Sequence, residues 1–308
     1  MTATAIEQVT GVGIWSRELR YNADRAACRD AARGLEQLGY RTVWIPDVGG
    51  DPLGVAGELL EVTEQLAVAT GILNVWMHDP ASVAHQYRQT LDQFGDRFVL
   101  GLGNSHAPLV DAGSPGRYQR PVTRLLGFLD GLQSAGLDTK EETVLAALGP
   151  RMQGIVRDRA AGSHPYLVTA EYLRRSRELI GPGKLLAPAL SVVLAADPAR
   201  ARAQARAHLV GYLTLPNYLN NFRRMGFGNE ELRDGGSDRF VDELVAWGDV
   251  AKIGQRVAEY FDAGADHVCL QVANVPREQL PMTEWHALSA LIGLARTLST
   301  SREGGPTR

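Results

Sequence analysis

Short apolar segments alternate with longer amphipathic ones along nearly the whole chain. Eight short segments are rich in Val, Ile or Leu, as expected of strands buried on both faces; they span residues 9–15, 42–46, 66–73, 98–103, 143–148, 163–168, 186–195 and 267–272. Helical patterns lie between them, over residues 24–38, 81–94, 151–161, 170–180 and 250–263. Such alternation is typical of an α/β protein with a parallel sheet. An open doubly wound sheet is the alternative, but the length and the number of repeats favour a closed (β/α)8 TIM barrel.

Two stretches interrupt this alternation. Residues 106–140 are rich in Pro and Gly and predict a long loop that leads into a helix over 121–132. Residues 197–247 are too long for one crossover and predict a helical insertion after strand seven. Insertions of this kind lie over the C-terminal mouth of a barrel, where active sites form. We therefore expect one TIM-barrel domain over 1–299 and a short disordered tail over 300–308.

Composition narrows the class of protein. The chain has 308 residues, of which 44% are hydrophobic and 22% are charged, with a net charge of −3. Without a basic stripe, neither nucleic acid nor an anionic membrane is expected as a partner. No apolar run approaches the roughly 20 residues that span a bilayer, and residues 1–10 lack the pattern of a signal peptide. Cys28 and Cys269 are expected to be buried free thiols. The sequence thus predicts a cytoplasmic protein that acts on a small molecule.

The residues that follow the predicted strands lie at the mouth of a barrel and carry the candidate chemistry. They include few paired carboxylates and neither an HExxH motif nor paired cysteines, so neither a metal site nor nucleophilic catalysis is expected. They are rich in Gly, Trp and Tyr, which suits a flat aromatic cofactor. Residues 101–106 lack the third glycine of a dinucleotide-binding fingerprint, which argues against a Rossmann domain.

Several stretches occur in the order found in a known family. They are residues 38–40 (LGY), 43–47 (VWIPD), 69–72 (ATGI), 79–80 (DP), 97–103 (RFVLGLG), 105–110 (SHAPLV), 146–152 (AALGPRM), 162–166 (GSHPY) and 264–268 (GADHV). The chain resembles the luciferase-like monooxygenase superfamily, and within it the branch of probable coenzyme F420-dependent oxidoreductases. The motifs are individually weak but cover nearly the whole chain.

The resemblance implies roles for residues after strands two to four. Gly71-Ile72 matches the place where such enzymes carry a non-proline cis peptide that faces the cofactor ring; an ordinary trans strand end is the alternative. Asp47 and Asn74 would flank the ring, although Asp47 could equally cap a helix. Gly103 and Asn104 would also contact the cofactor.

The phosphate of the cofactor is expected beside the sixth strand. Tyr166, Leu167, Val168 and Thr169 lead into the helix at residue 170, and a helix N-terminus attracts anions. Thr169 is also simply a good N-cap. Arg256 falls where related enzymes place a basic residue near the phosphate, although an exposed helical arginine is the plainer interpretation.

The chain departs from characterised deazaflavin dehydrogenases at two positions. Those enzymes have His after the Asp of strand two and an acid after the Gly of strand four, where this chain has Val48 and Asn104. His78 and His106 are the remaining ionisable candidates for proton transfer, and Asp47 is the acidic one. A loop histidine such as His106 is more often structural.

Four further residues complete the predicted mouth. His164 would either orient the cofactor or satisfy a buried carbonyl. Trp15, Trp76 and Met77 would form the apolar wall of a substrate pocket together with His78, or merely pack the top of the barrel.

These observations predict an oxidoreductase in which coenzyme F420 exchanges a hydride with a small organic substrate. An FMN-dependent monooxygenase with the same fold, and a barrel that binds cofactor without catalysis, are the alternatives. The resemblance further implies a homodimer.

Overall fold

The computed structural model describes residues 5–276 and 278–293, so the predicted tail at 300–308 lies outside the described residues. The strands, in chain order, are β1 (Gly11–Trp15), β2 (Thr42–Ile45), β3 (Ala67–Thr70), β4 (Leu73–Asn74), β5 (Phe98–Gly103), β6 (Thr143–Leu145), β7 (Gly162–Ser163), β8 (Leu185–Leu186), β9 (Ala189–Leu194), β10 (Val245–Gly248) and β11 (His267–Val272). All of their pairings are parallel.

Helices follow most of these strands. They are α1 (Ala5–Gln8), α2 (Glu18–Tyr21), α3 (Arg25–Gln37), α4 (Pro52–Glu61), α5 (Pro80–Phe94), α6 (Ala107–Asp111), α7 (Pro121–Ser134), α8 (Thr139–Glu142), α9 (Pro150–Arg159), α10 (Ala170–Ile180), α11 (Pro198–Leu209), α12 (Pro216–Arg224), α13 (Asp238–Leu244), α14 (Val250–Asp262) and α15 (Met282–Leu288). Within the described residues, none is both long and apolar enough to cross a membrane.

The sheet curls into the predicted barrel. Neighbouring strands follow the order β11-β1-β2-β3-β5-β6-β7-β8. Only Ala187 and Pro188 separate β8 from β9, so these two strands form one run of chain. Because β8 pairs with β7 and β9 pairs with β11, this run joins the two ends of the sheet. The (β/α)8 TIM barrel predicted from the sequence is confirmed.

Apolar side chains fill both sides of the barrel wall. Inside it, Trp44, Ala69, Val99, Val144 and Cys269 form one buried cluster, contributed by alternate residues of successive strands. A larger buried cluster joins the outer face of the strands to the surrounding helices. Both cysteines are buried free thiols, as expected.

The predicted insertion at residues 197–247, which follows β9, contains the expected helices and one element that the sequence did not predict. Helices α11, α12 and α13 pack around the buried rings of Phe222 and Phe240. The unexpected element is β10, which pairs along β9 with Val245 opposite Ser191. The prediction placed residue 245 in a helical insertion because a strand of four residues is too short to show a period.

Other element bounds also differ from the predictions. The predicted sixth strand is only β7, Gly162–Ser163, and is followed by an isolated parallel bridge between Tyr166 and Ala189. Leu167 then has a positive φ of 52°. The predicted loop over 106–140 contains the short helices α6 and α8 beside the expected α7. Helix α4 was missed, although Asp51 at its N-cap and Pro52 in its first turn are ordinary start signals.

Candidate active site at the barrel mouth

One side of the mouth is built from small residues on β3, β5 and the chain after β6. A Cβ at Gly101 would lie 2.0 Å from the Thr70 carbonyl oxygen, and one at Gly103 would lie 2.8 Å from the Ile72 side chain and 3.1 Å from Ala146 Cβ. A Cβ at Gly71 would lie 2.8 Å from Trp15 Nε1. We call Gly71, Gly101, Gly103 and Ala146 the glycine side. Its backbone is bare because larger side chains would not fit.

The peptide bond between Gly71 and Ile72 is cis, as the resemblance implied, so the trans alternative is wrong. Trp15 Nε1 donates to the Gly71 carbonyl at 2.9 Å, and the Asp47 amide donates to the Ile72 carbonyl at 3.3 Å. The Ile72 side chain packs over Gly103. These contacts fix the bulge at the centre of the glycine side, and its role toward a cofactor stays a prediction.

Asp47 holds the chain segment that follows this bulge. Its side chain is 1% exposed and accepts hydrogen bonds from the Asn74 amide at 2.9 Å and from the Gly49 amide at 3.2 Å. His78 Nε2 lies 2.7 Å from Asp47 Oδ2. Burial alone would raise the pKa of Asp47, but these hydrogen bonds outweigh it and hold the pKa below its ordinary value.

These contacts make Asp47 an ionised residue that positions the segment from Asn74 to His78. Its predicted catalytic role stays a prediction. The alternative of a helix cap is wrong, because Asp51 caps α4 by accepting from the Gly54 amide. The Asn74 side chain accepts in turn from the Trp76 amide at 3.1 Å.

The opposite side of the mouth carries polar side chains, which we call the polar side: His164, Tyr166, Ser191, Gln271 and His208. The Tyr166 hydroxyl lies 2.7 Å from His208 Nε2 and 3.1 Å from Ser191 Oγ. Ser191 Oγ lies 3.0 Å from the same nitrogen and donates to Gln271 Oε1 at 3.5 Å. Burial lowers the pKa of His208 to about 4 and raises the pKa of Tyr166 well above 10.0, with a smaller effect of Arg17 on His208. The group is therefore neutral at pH 7.

His164 satisfies a buried carbonyl, one of the two predicted roles. Its Nδ1 lies 2.7 Å from the Ala187 carbonyl oxygen, and its ring stacks on Trp44 at a centroid distance of 4.2 Å. Burial lowers the pKa of His164 to about 4. Its Nε2 faces the glycine side, since a Cβ at Gly71 would lie 3.3 Å from that atom.

Two polar atoms in the segment after β5 are buried without a hydrogen-bond partner. They are Asn104 Oδ1 and His106 Nδ1. The His106 ring packs against Tyr218 of the insertion at 5.2 Å, and burial lowers its pKa. Unpartnered buried polar atoms are rare in folded proteins and point to a missing ligand or water. His106 therefore remains the predicted group for proton exchange.

The predicted apolar wall divides in the structure. Trp15 and Trp76 are largely covered, with Trp15 stacked parallel to Tyr166 at 6.4 Å and Trp76 packed on Tyr118 at 5.3 Å. Met77 is 55% exposed and lies at the rim.

A cleft opens at the N-termini of α9 and α10. Thr169 caps α10, its hydroxyl accepting from the Tyr172 amide at 3.2 Å. The cleft has a volume of about 150 Å³. It is lined by Leu148, Pro150, Gln153, Thr169, Glu171, Tyr172, Arg175, Ser176, Leu179, Asn221, Arg224 and Met225.

The cleft combines cationic and polar side chains. Asn221, Gln153 and Ser176 are at most 2% exposed, and the oxygen of each side chain has no hydrogen-bond partner. Of these oxygens only the Ser176 hydroxyl can donate to an anion, because amide oxygens accept. Arg224 reaches the start of α9, where a Cβ at Gly149 would lie 3.5 Å from its Nη1. A helix N-terminus adds free amides and a positive dipole end.

The residues predicted to bind phosphate are not all in the cleft. Thr169 lines it, whereas the Tyr166 hydroxyl points to the polar side and Leu167 packs under the insertion. The Val168 carbonyl accepts from the Tyr260 hydroxyl. Arg256 donates to the carbonyls of Asp242 and Glu243 and pairs with Glu259 at 3.0 Å, so its contacts lend the phosphate role no support.

Sequence reasoning missed several residues of the mouth. Ser191 had a signal, since it is a polar residue at an inward position of an apolar strand. His208, Tyr212, Tyr218 and Arg224 lie in the insertion, and no local pattern relates them to the barrel. Within residues 5–276 and 278–293, no group of three or more His, Cys, Asp or Glu side chains could hold a metal ion.

Solved structures share this fold at low sequence identity, which is evidence for the fold alone. One is an F420-dependent secondary alcohol dehydrogenase in complex with an F420-acetone adduct (12% identity, TM-score 0.72, covering 94% of this chain and 99% of that chain). Another is the coenzyme F420-dependent tetrahydromethanopterin reductase of Methanopyrus kandleri (14% identity, TM-score 0.72, 91% and 97%). A third is the oxygenating constituent of 3,6-diketocamphane monooxygenase from Pseudomonas putida, in complex with FMN (13% identity, TM-score 0.65, 94% and 98%).

No curated protein matches the chain. The family model described as luciferase-like monooxygenase matches residues 10–267, which include the barrel from before β1 to the start of β11. The match covers the glycine side, the cleft and the insertion together. The chain belongs to the luciferase-like monooxygenase family.

Proposed function

We propose that this protein is an oxidoreductase in which coenzyme F420 exchanges a hydride with a small organic substrate. The observation that carries the proposal is the continuity of the glycine side with the cleft at the N-termini of α9 and α10, which we call the anion cleft. Ala146 adjoins Gly103, and the next two carbonyls, of Ala147 and Leu148, accept from the Tyr172 hydroxyl at 3.0 and 2.9 Å. A flat ring on the glycine side would thus have its phosphate arm directed toward the N-terminus of α10.

The residues present fit such a cofactor. The bare backbone at Gly71 and Gly103 allows close approach of a planar ring, and the unpartnered Asn104 oxygen lies beside it. In the cleft, Asn221, Arg224 and the amides of α10 would hold the phosphate. When bound, F420 supplies the hydride chemistry, while the protein holds the reactants in place and excludes water.

The length of the cleft supports F420 over FMN. It extends along α10 from Thr169 to Leu179, about 15 Å at the helical rise per residue. That is longer than a single phosphate requires. F420 carries further acidic groups beyond its phosphate, and Arg175, which pairs with Glu171 at 2.9 Å, lines this extension.

Equilibrium titration of the purified protein with oxidised F420 and, separately, with FMN tests the proposal through fluorescence quenching. We expect F420 to bind at micromolar concentration or below, about −8 kcal/mol, and FMN to bind more weakly. Preference for FMN would instead favour an FMN-dependent monooxygenase. Failure of both to bind would overturn the cofactor proposal.

Two adjacent arginines provide a matched pair of variants. Arg224→Gln removes the cation that reaches the start of α9 and is expected to weaken F420 binding about tenfold, roughly 1.4 kcal/mol. Arg223→Gln removes the neighbouring cation, which contacts Asn229 at 3.2 Å, and should leave F420 affinity unchanged. Equal effects of the two changes would place the phosphate elsewhere.

A further inference from the structure

The hydrogen-bonded group on the polar side has no part in the cofactor site described above. Tyr166, Ser191 and His208 are within 2.7–3.1 Å of one another, and Gln271 lies next to Ser191. Ser191 and Gln271 are buried, and Tyr166 and His208 are partly buried. Polar groups removed from water together are costly unless each is satisfied. A cluster of this kind at the mouth of a barrel therefore needs an explanation beyond packing.

The group lies inside the mouth of the barrel. Ser191 and Gln271 are paired residues of β9 and β11. They point into the barrel, in phase with the interior residues Ala189 and Cys269 two positions earlier. Tyr166 stands beside them, stacked on Trp15, whose indole nitrogen is bonded to the Gly71 carbonyl. The polar side thus faces the cis peptide across the mouth.

His208 comes from the insertion, not from the barrel. It lies on α11, and Tyr212 and Tyr218 follow it over the same site. The Tyr166 ring packs edge-on against both tyrosines, at 5.4 and 6.2 Å. The insertion therefore supplies both the partner of the Tyr166 hydroxyl and an aromatic cover.

The surroundings disfavour a charged ligand. His106 and His208 are held neutral by burial. Charged groups of this region are already paired: Asp47 with His78, and Arg17, whose charge acts on His208, with Glu18 at 2.9 Å. An environment that penalises charge on an imidazole penalises it on a substrate as well.

We propose that the Tyr166 hydroxyl binds the oxygen of an uncharged, largely apolar carbonyl or alcohol substrate, and that His208 and Ser191 position this hydroxyl. The proposal rests on the oxidoreductase function proposed above and names its substrate class. Tyr166 would contact the substrate directly. His208 would act only through Tyr166.

Three probes of similar size test the substrate class: acetophenone, 1-phenylethanol and benzoate. Binding to the full chain is followed by tryptophan fluorescence, since Trp15 stacks on Tyr166, with and without F420. We expect the ketone and the alcohol to bind at least tenfold more tightly than benzoate. Tighter binding of benzoate would overturn the proposal.

Substitutions locate the binding group. Tyr166→Phe keeps the ring and should weaken acetophenone binding about tenfold, because one hydrogen bond is lost. Tyr87→Phe, a buried tyrosine of α5 distant from the mouth, is the matched control and should bind acetophenone as the wild type does. Ser191→Ala gives a second, smaller change and should weaken binding in the same direction.

His208 is tested by rescue. His208→Leu should weaken binding as much as Tyr166→Phe does, whereas His208→Gln, which can still hydrogen-bond the hydroxyl, should restore most of the affinity. Equal losses in the two variants would make His208 merely structural and overturn its role.

The same proteins separate the two proposals. The polar side is distinct from the anion cleft, so F420 affinity should be unchanged in Tyr166→Phe. If neither F420 nor FMN binds the wild type, the proposed function fails. If F420 binds but acetophenone binds wild type and Tyr166→Phe equally, this inference alone fails.

Discussion

The two sides of the barrel mouth are built in opposite ways. On the glycine side, the site consists of backbone, and Gly71, Gly101 and Gly103 are required because neighbouring atoms leave no room for a Cβ. On the polar side, the site consists of side chains from β9, from β11, from the segment after β7 and from the helical insertion. The first is specified by close packing and the second by hydrogen bonds.

The two sides therefore suit different roles, one toward a cofactor and the other toward a substrate. A backbone surface with a fixed shape suits a cofactor that is the same in every turnover. Side chains on an inserted segment can change without disturbing the barrel, which suits selection of a substrate. The glycine side should therefore respond mainly to added volume and the polar side mainly to lost hydrogen bonds and to pH.

The largest expected effect is on the glycine side. Gly101→Ala would place a methyl group 2.0 Å from the Thr70 carbonyl oxygen, which can move only with β3. We expect a loss of about 3 kcal/mol in the free energy of unfolding, measured by urea denaturation. Gly127→Ala on α7 meets nothing within 4 Å and should instead stabilise the protein by up to about 1 kcal/mol. Similar stability of the two variants would show that the glycine side is not closely packed.

The polar side should respond to acid. The folded-state pKa of His164 is about 4, below its unfolded value near 6.5, so the unfolded chain binds more protons between these values. Stability from this residue is complete above pH 6.5 and is lost as the pH falls toward 4. Between pH 7 and pH 5 the expected loss is about 2 kcal/mol from His164 alone.

Denaturation at both pH values checks this expectation. His164→Gln should reduce the dependence on pH by that amount, and His85→Gln on the exposed face of α5 should leave it as in the wild type. A stability that is flat from pH 7 to pH 5 would contradict the burial of His164 as a neutral ring.

A smaller effect is expected at the segment that borders the glycine side. Asp47→Asn weakens the acceptor for the Asn74 amide and for His78, at a cost of about 1.5 kcal/mol. The Asn74 amide should then exchange hydrogen faster, and F420 should bind more weakly. Asp51→Asn, in the same loop, changes only the cap of α4 and should leave both properties unchanged. Protection of the Asn74 amide in both variants would show that Asp47 does not hold this segment.

The sequence predicted the cis peptide at Gly71-Ile72 because the signals around it are local. Gly71, Gly103 and Asp47 follow strands that are readable from their apolar runs, and the family motifs cover them. Of the residues predicted to bind the phosphate, Thr169 lines the anion cleft, whereas Arg256 binds the end of α13. An arginine on a helix carries no local information about which neighbour its long side chain will reach.

The alternation of apolar runs and amphipathic helices by itself determined the barrel, because strands buried on both faces and crossover helices have distinct periods. It also determined where the chain departs from that pattern, at residues 106–140 and 197–247. Only the tertiary structure decided that His208, Tyr212 and Tyr218 cover the mouth beside Tyr166, and that Arg224 borders the cleft. Those contacts join residues tens of positions apart, and their choice depends on how three inserted helices pack over β9 and β10, which no local pattern records.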